Sequence, residues 1–188
     1  MTTIGELRIA CRELLYRLVR QDKIQLNDIR YIKHDTGTMP RKLTNYVGDD
    51  GLTKLKETPY LVTDEFIVFD VLISKNIAGE LINNNYVSHM PFTLVVNIYG
   101  DEVQDELQYM LAKMSSFIVR DWLRKKKISL KSEPTSWDEL DGKENGTWWK
   151  RRRFVLEMNT QQSIEYSQDD FPLMDEIDFT LEVLEGGK

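Results

Sequence analysis

The feature that most constrains the fold is an alternating strand that runs directly into a long amphipathic helix. In the run from Phe92 to Tyr99, alternate side chains form an apolar face: Phe92, Leu94, Val96 and Ile98. Gly100 ends this run, and Asp101 can offer its carboxylate to the free amides of a following helix. We predict a helix to about Lys126, with a buried stripe of Val103, Leu107, Met110, Leu111, Met114, Phe117 and Ile118.

A second amphipathic helix is predicted near the start of the chain, from about Thr3 to Arg20. Thr3 and Glu6 have the Thr-x-x-Glu spacing of a capping box, which satisfies backbone donors at the start of a helix. Apolar residues recur every three or four positions on one face: Ile4, Leu7, Cys11, Leu14, Leu15 and Leu18. Cys11 lies on this face, so a small buried core residue is favoured over a reactive thiol.

Further strand patterns occur on both sides of the long helix. The run 65–73 is apolar on both faces apart from its ends and Asp70, so we predict a strand covered on both sides, with another subunit as the alternative cover of one face. We predict that it pairs with 92–99 as a wide hairpin. Other strands are predicted at about 24–32, 128–130, 147–158 and 177–184. Together these elements predict an α+β fold, a mainly antiparallel β-sheet packed against an N-terminal helix and a long central helix.

Two segments lack this regularity. Residues 34–59 contain several Gly and Pro turn signals and four cations, Arg41, Lys42, Lys54 and Lys56. We predict a long loop insert there, within a single domain of residues 1–188. Such an insert is either an arm that contacts a neighbouring protein or a surface loop. A second, polar loop is predicted over residues 132–146.

Composition and motifs argue against several classes of function. The net charge of -6 and the pI near 5.1 disfavour general nucleic-acid binding, which needs a basic surface. One cysteine excludes an internal disulfide and cannot form a zinc site alone. No membrane span, signal peptide, dinucleotide, P-loop, metalloprotease, CxxC or serine-hydrolase motif is present. We therefore predict no catalytic residues, metal or cofactor, no membrane association, and synthesis in the cytoplasm.

The most unusual local composition is Trp148-Trp149-Lys150-Arg151-Arg152-Arg153, two aromatic residues followed by four cations. It is typical of a nucleic-acid contact, of a protein–protein hot spot, or of a solvated strand end whose stems cover apolar surface. The acidic chain favours a subunit interface that pairs with carboxylates of identical neighbours, such as Asp138-Glu139 or Asp169-Asp170. We predict that the segment projects beyond the core, with Arg151 and Arg153 on one side and Arg152 on the other.

The order of these features resembles that of bacteriophage neck and tail terminator proteins, a family of tail completion and head–tail joining proteins. In that family an N-terminal helix precedes a β-hairpin, and a strand ending in Tyr-Gly leads into a long helix. Two antiparallel strands then close the sheet, the first of them beginning with a run of arginines. The matching features here are residues 4–20, 65–99, Tyr99-Gly100, 103–126, Arg151-Arg152-Arg153-Phe154 and 177–183.

The resemblance implies a structural virion protein without enzymatic activity. It implies a homo-oligomeric, hexameric ring that stops growth of the tail tube and joins it to the head connector, with a central channel for DNA. The implied partners are further copies of the chain, the tail tube protein and the connector or neck protein. The alternative is a non-enzymatic binding module that contacts nucleic acid or another protein through residues 148–153. An enzyme built on scattered carboxylates is the least favoured class.

Overall fold

The computed structural model describes residues 4–33, 39–47, 49, 51–74, 78–82, 85–132, 137–144 and 146–165. Its helices are α1 (Ile4–Leu18), α2 (Val103–Met114) and α3 (Phe117–Lys125), and a 3₁₀ turn spans Leu26–Asp28. Its strands are β1 (Ile29–Tyr31), β2 (Arg41–Val47), β3 (Thr53–Pro59), β4 (Phe66–Ile73), β5 (Ala78–Ile82), β6 (Asn85–Tyr99), β7 (Ile128–Leu130), β8 (Trp137–Glu139), β9 (Gly142–Glu144), β10 (Thr147–Trp149) and β11 (Arg151–Glu165).

One seven-stranded sheet organises the described residues. Its strands lie in the order β1-β4-β6-β11-β7, with β5 beside β6 and β8 beside β11. Every pair in it is antiparallel except β1 and β4. The α+β class with a mainly antiparallel sheet is therefore confirmed. The strands predicted at 65–73 and 92–99 pair with each other, whereas the one predicted at 24–32 is confined to Ile29–Tyr31.

The helices cover one face of this sheet and form a single core with it. The side chains of the apolar face predicted for β6 all belong to this core, as do most of those predicted for α1: Phe92, Leu94, Val96, Ile98, Leu7, Cys11, Leu14, Leu15 and Leu18. Ile4, predicted on the same face of α1, is 49% exposed at the first residue of the helix. Cys11 is buried among them, and this burial raises the pKa of its thiol to about 12. The thiol therefore stays protonated at neutral pH and acts as a small apolar side chain.

The predicted long central helix is two helices. α2 ends at Met114, Ser115 and Ser116 follow, and α3 begins at Phe117. Ser116 has an extended backbone, and its side-chain oxygen accepts a hydrogen bond from the Val119 amide at 3.4 Å. A serine that offers such a bond competes with the helical pattern and starts a new helix.

This break changes which residues face the core. Phe117 and Ile118 were predicted in the buried stripe, but they are 80% and 75% exposed, and Leu123 is buried instead. The start of α2 also differs from the prediction. The residue at its N-cap is Glu102 and not Asp101, and it makes no capping hydrogen bond through its side chain.

Both segments predicted as loops contain strands. Within residues 34–59, β2 and β3 form an antiparallel hairpin of seven paired positions. Its side chains are mostly exposed. Its sequence therefore lacks the alternation of apolar and polar residues by which a half-buried strand is recognised. Within residues 132–146, β8 pairs with β11 and β9 pairs with β10. These strands have three residues each, which is too short for any periodicity.

Some expectations lie outside the described residues. They concern the capping residue Thr3, the acidic pair Asp169-Asp170 and the strand at 177–184. That residues 1–188 form a single domain stays a prediction.

We expect Gly100→Ala to lower the free energy of unfolding by about 1–3 kcal/mol, the range for strained backbone positions. Gly100 has φ +137, and a Cβ there would lie 2.8 Å from Glu65 Cγ, 3.2 Å from Glu65 Cα and 3.3 Å from the Asp64 carbonyl oxygen. Urea unfolding of the variant measures the loss. Gly51→Ala is the control, because Gly51 also has a positive φ of +73 but nothing lies within 4 Å of its Cβ position. Equal losses in the two variants would exclude the steric contribution.

Candidate interface at the Trp148–Arg153 segment

The arginine run is part of the main sheet. Arg151, Arg152 and Arg153 begin β11 and pair with Tyr99, Ile98 and Asn97 of β6. The prediction that this segment projects beyond the core is therefore wrong. The physical reason is that β6 continues as a strand to Tyr99, so its backbone supplies hydrogen-bond partners to the arginines as well as to the apolar residues after them.

Trp149 belongs to a small aromatic core on the sheet face away from the helices. Tyr60, Phe66, Tyr99 and Trp149 are all buried there. Phe66 stacks on Tyr60 and Tyr99 with ring centroids 4.0 and 4.7 Å apart, and Trp149 meets Phe66 edge-on at 5.6 Å. Stacked and edge-to-face pairs stabilise a protein beyond their buried area, so Trp149 has a structural role.

Arg151 is held by the same aromatic core. Its Nη1 donates to the hydroxyl of Tyr99 at 3.1 Å and to Glu144, and its backbone amide donates to Asp141 Oδ1 at 2.9 Å. Burial raises the pKa of the Tyr99 hydroxyl, and the Arg151 hydrogen bond opposes this effect. The guanidinium therefore connects the short strands to the sheet, because it contacts both Glu144 of β9 and Tyr99 of β6.

Arg152 points to the other side of β11 and is also paired within the chain. Its side chain is only 11% exposed. Its Nε donates to Gln104 Oε1 at 3.1 Å, and its two Nη atoms lie 2.8 Å from Asp141 and 3.2 Å from Glu139. Glu139, which the sequence analysis assigned to a neighbouring subunit, thus has a cation partner in its own chain.

The outward-facing members of the segment are Trp148 and Lys150. Trp148 is 63% exposed on β10. The side chain of Lys150 is 53% exposed, and its ammonium group lies 3.5 Å from Asp101 Oδ1. The exposed surface of the candidate interface is therefore one tryptophan beside one lysine, and not a row of four cations.

Arg153 lies in a cleft of about 540 Å³. Val68, Asp70 and Asn97 line this cleft together with Arg151 and Arg153. Arg153 Nε is buried and makes no hydrogen bond within the described part of the chain. Arg151 and Arg153 thus share this cleft, whereas Arg152 contacts Gln104 beside α2.

The acidic partners of the arginines were missed in the sequence. Asp141 and Glu144 flank β9 in a segment predicted as a loop. Nothing in their spacing marks them, because strand pairing brings them to Arg151 and Arg152 from about ten residues away. Alternating carboxylates before an arginine run are the one signal that could have suggested a local ion-pair network.

The described residues contain neither a metal-ligand cluster nor a membrane-spanning helix. Among them, no group of three or more His, Cys, Asp or Glu side chains could hold a metal ion. None of the described helices is long and apolar enough to cross a membrane.

The fold and the contacts of the Trp148–Arg153 segment together define a small α+β structural protein. Its charged side chains connect short strands to the main sheet. The chain belongs to the phage neck terminator protein family, whose model matches residues 45–186. It is therefore a structural protein of the bacteriophage neck, and the resemblance inferred from the order of elements is confirmed. The family implies a virion component that contacts other head or tail proteins. A search of curated proteins found no match to the chain.

Proposed function

We propose that the chain forms a homo-oligomeric ring, a hexamer, that ends the tail tube and joins it to the head connector. DNA passes through the central channel of this ring, and the protein is made in the host cytoplasm before it enters the virion. The observation that carries this proposal is the match of residues 45–186 to the neck terminator family. The same membership supports a non-enzymatic role.

Exposed apolar side chains support self-assembly. Phe117 and Ile118 at the start of α3, Val47 and Leu55 on the hairpin, and Trp148 are all exposed by more than 60%. Surfaces of this kind are typical of interaction sites. They lie on different elements, as the two unlike patches of a ring contact require.

We propose that residues 148–153 contribute to a subunit contact through their exposed members, Trp148 and Lys150. Tryptophan is enriched among the residues that dominate binding energies. The buried members, Trp149, Arg151 and Arg152, hold these two side chains in place. Arg153 lies in the neighbouring cleft, where its buried Nε can donate a hydrogen bond to an oxygen of a partner.

Trp148→Ala is expected to weaken assembly about tenfold or more, the effect of removing one dominant interface side chain. The protein is measured by native mass spectrometry and electron microscopy, alone and on purified tail tubes. Circular dichroism should show an unchanged melting temperature, because Trp148 is mostly exposed. Trp149→Ala is the contrasting variant, since its loss should lower the melting temperature. If the Trp148 variant assembles like the parent, the segment is not a subunit contact.

A nucleic-acid-binding module is the second candidate, favoured by the adjacent exposed Trp148 and Lys150. An aromatic ring beside a cation suits a base stacked next to a phosphate. Against it, Lys150, Arg151 and Arg152 each have a carboxylate partner in the chain. Titration with single-stranded DNA at several salt concentrations tests it. Binding that weakens steeply with salt, in a protein that stays monomeric, supports this candidate over the ring.

A further inference from the structure

The net charge of the protein resides in its last 23 residues. Residues 166–188 contain seven acidic residues and one lysine, whereas the preceding 165 contain 24 acidic and 24 basic residues. The acidic residues of this C-terminal segment are Asp169, Asp170, Asp175, Glu176, Asp178, Glu182 and Glu185. A segment of this charge should associate with a basic surface.

The same segment has the pattern of an amphipathic strand. Residues 177–184 alternate between an apolar parity, Ile177, Phe179, Leu181 and Val183, and a polar one that includes Asp178, Thr180 and Glu182. An added strand of this kind needs a partner edge whose two faces are apolar and basic.

The β2–β3 hairpin has those two faces. Cross-strand partners share a face, and the register places Leu43, Val47 and Leu55 on one side, all of them exposed. The opposite side carries Lys42, Lys54 and Lys56 together with Tyr46. The two strands hold four cations and one carboxylate, Glu57. Arg41 and Glu57 lie on the face of the three apolar residues and offset each other in charge, so the excess of positive charge lies on the opposite face. The hairpin thus has one face with exposed apolar side chains and one basic face, which complement the two parities of residues 177–184.

Among the described residues, the hairpin has no third strand beside it. β2 and β3 pair only with each other among the described strands. Two-stranded hairpins are marginally stable in water unless another strand or a helix packs on them. Their open edges are sites where a further chain can add by backbone hydrogen bonds.

We propose that residues 177–184 of a neighbouring copy add as a strand to the β3 edge of this hairpin. Asp178 and Glu182 of the added strand then lie beside Lys54 and Lys56. The apolar parity of the added strand extends the exposed face that contains Leu55. The proposal rests on the proposed self-assembly and specifies one subunit contact within it.

The resemblance pairs residues 177–183 with the strand that begins at Arg151, and other strands already lie beside parts of that strand. On the side of β11 away from β6, β8 pairs with Arg152–Phe154 and β7 pairs with Met158–Thr160. The edge of β11 to which residues 177–184 would pair is therefore already covered at Arg152–Phe154 and Met158–Thr160.

Reach favours a neighbouring copy over the chain's own hairpin. The root of the hairpin lies at the Arg151 end of β11. Lys42 contacts Asp64 at 3.1 Å, and Tyr60 stacks on Phe66. Phe66 and Arg151 both pair with Tyr99 of β6. β11 runs from Arg151 to Glu165, about 45 Å at the usual rise per residue. The twelve steps from Glu165 to residue 177 span at most about 43 Å. The linker would therefore have to be almost fully extended to reach the hairpin root of its own chain, and contact with a neighbouring copy does not require this.

Charge reversal on each partner tests this contact. The hairpin variant is Lys54→Glu with Lys56→Glu, and the tail variant is Asp178→Lys with Glu182→Lys. Each alone should assemble about tenfold more weakly than the parent, because like charges then lie directly opposite each other at one position and diagonally across the two strands at the other. Mixed in equal amounts, they should assemble like the parent, since each hairpin then meets a tail of opposite charge. Native mass spectrometry should find equal numbers of the two variants in the particles.

The matched control is Lys125→Glu with Lys131→Glu, which has the same charge change at exposed positions away from the hairpin. It should assemble like the parent, and circular dichroism should show all variants folded. If the parent assembles but the mixture recovers nothing, or if the hairpin variant assembles normally, the contact is wrong while the ring stands. If the parent itself stays monomeric, alone and on tail tubes, the proposed function fails and this contact fails with it.

Discussion

Replacing Glu106 by alanine should lower the free energy of unfolding by about 3–5 kcal/mol, the cost of removing one partner of a buried ion pair. Glu106 is 1% exposed. Its Oε1 accepts from the Arg20 backbone amide at 2.8 Å, and its Oε2 accepts from Arg20 Nε at 2.7 Å. This carboxylate joins α2 to the end of α1 and raises the pKa of the guanidinium. Without it, the Arg20 amide is left unpaired and the guanidinium keeps only its contact with the exposed Glu102 at 3.8 Å.

Urea unfolding followed by circular dichroism measures this loss, and a constant slope with urea shows that the change is in stability alone. Glu106→Gln keeps the shape and one acceptor, so it should lose less than alanine. Glu102→Ala is the control, because Glu102 is exposed and contacts Arg20 at 3.8 Å and Lys23. Its removal should have a much smaller effect, since exposed ion pairs contribute little. A loss at Glu102 equal to that at Glu106 would contradict a special role for the buried carboxylate.

The parts of the fold that could be predicted from sequence are those with one buried face. The alternation from Phe92 to Ile98 and the stripe from Leu7 to Leu18 in α1 both appear in the core. Burial of one face repeats at the period of the element, so the sequence alone records it. The Tyr99-Gly100 pair was recognisable for a related reason, because the chain approaches Glu65 too closely there for a side chain.

The rest depends on contacts between distant residues. The arginine run looked like a free basic surface because Asp141 and Glu144 reach it only after β9 and β10 have paired. The hairpin of β2 and β3 buries little, so it has no apolar period to reveal it. The helix break depends on a single hydroxyl, that of Ser116, whose competition with the helical pattern is a local choice that the surrounding packing decides. The sequence could identify Trp148 and Lys150 as candidate interface residues. It could not show that these two are exposed while the neighbouring residues of the segment face inward.

The break between α2 and α3 predicts a large difference between two substitutions, one at Leu107 and one at Ile118. Leu107 and Ile118 fall on one stripe if residues 103–126 form a continuous helix, and the structure separates them. Leu107 is fully buried in the core, whereas Ile118 is 75% exposed beyond the break. Leu107→Ala should therefore lower the free energy of unfolding by about 2–5 kcal/mol, the lost transfer energy plus the cavity it leaves. Ile118→Ala should change it by about 0.5 kcal/mol or less. Both are measured by urea unfolding at a concentration below that of assembly, so that a subunit contact at Ile118 does not contribute. Equal losses would mean that α2 and α3 form one helix with a continuous buried stripe, and the break at Ser115 and Ser116 would then be wrong.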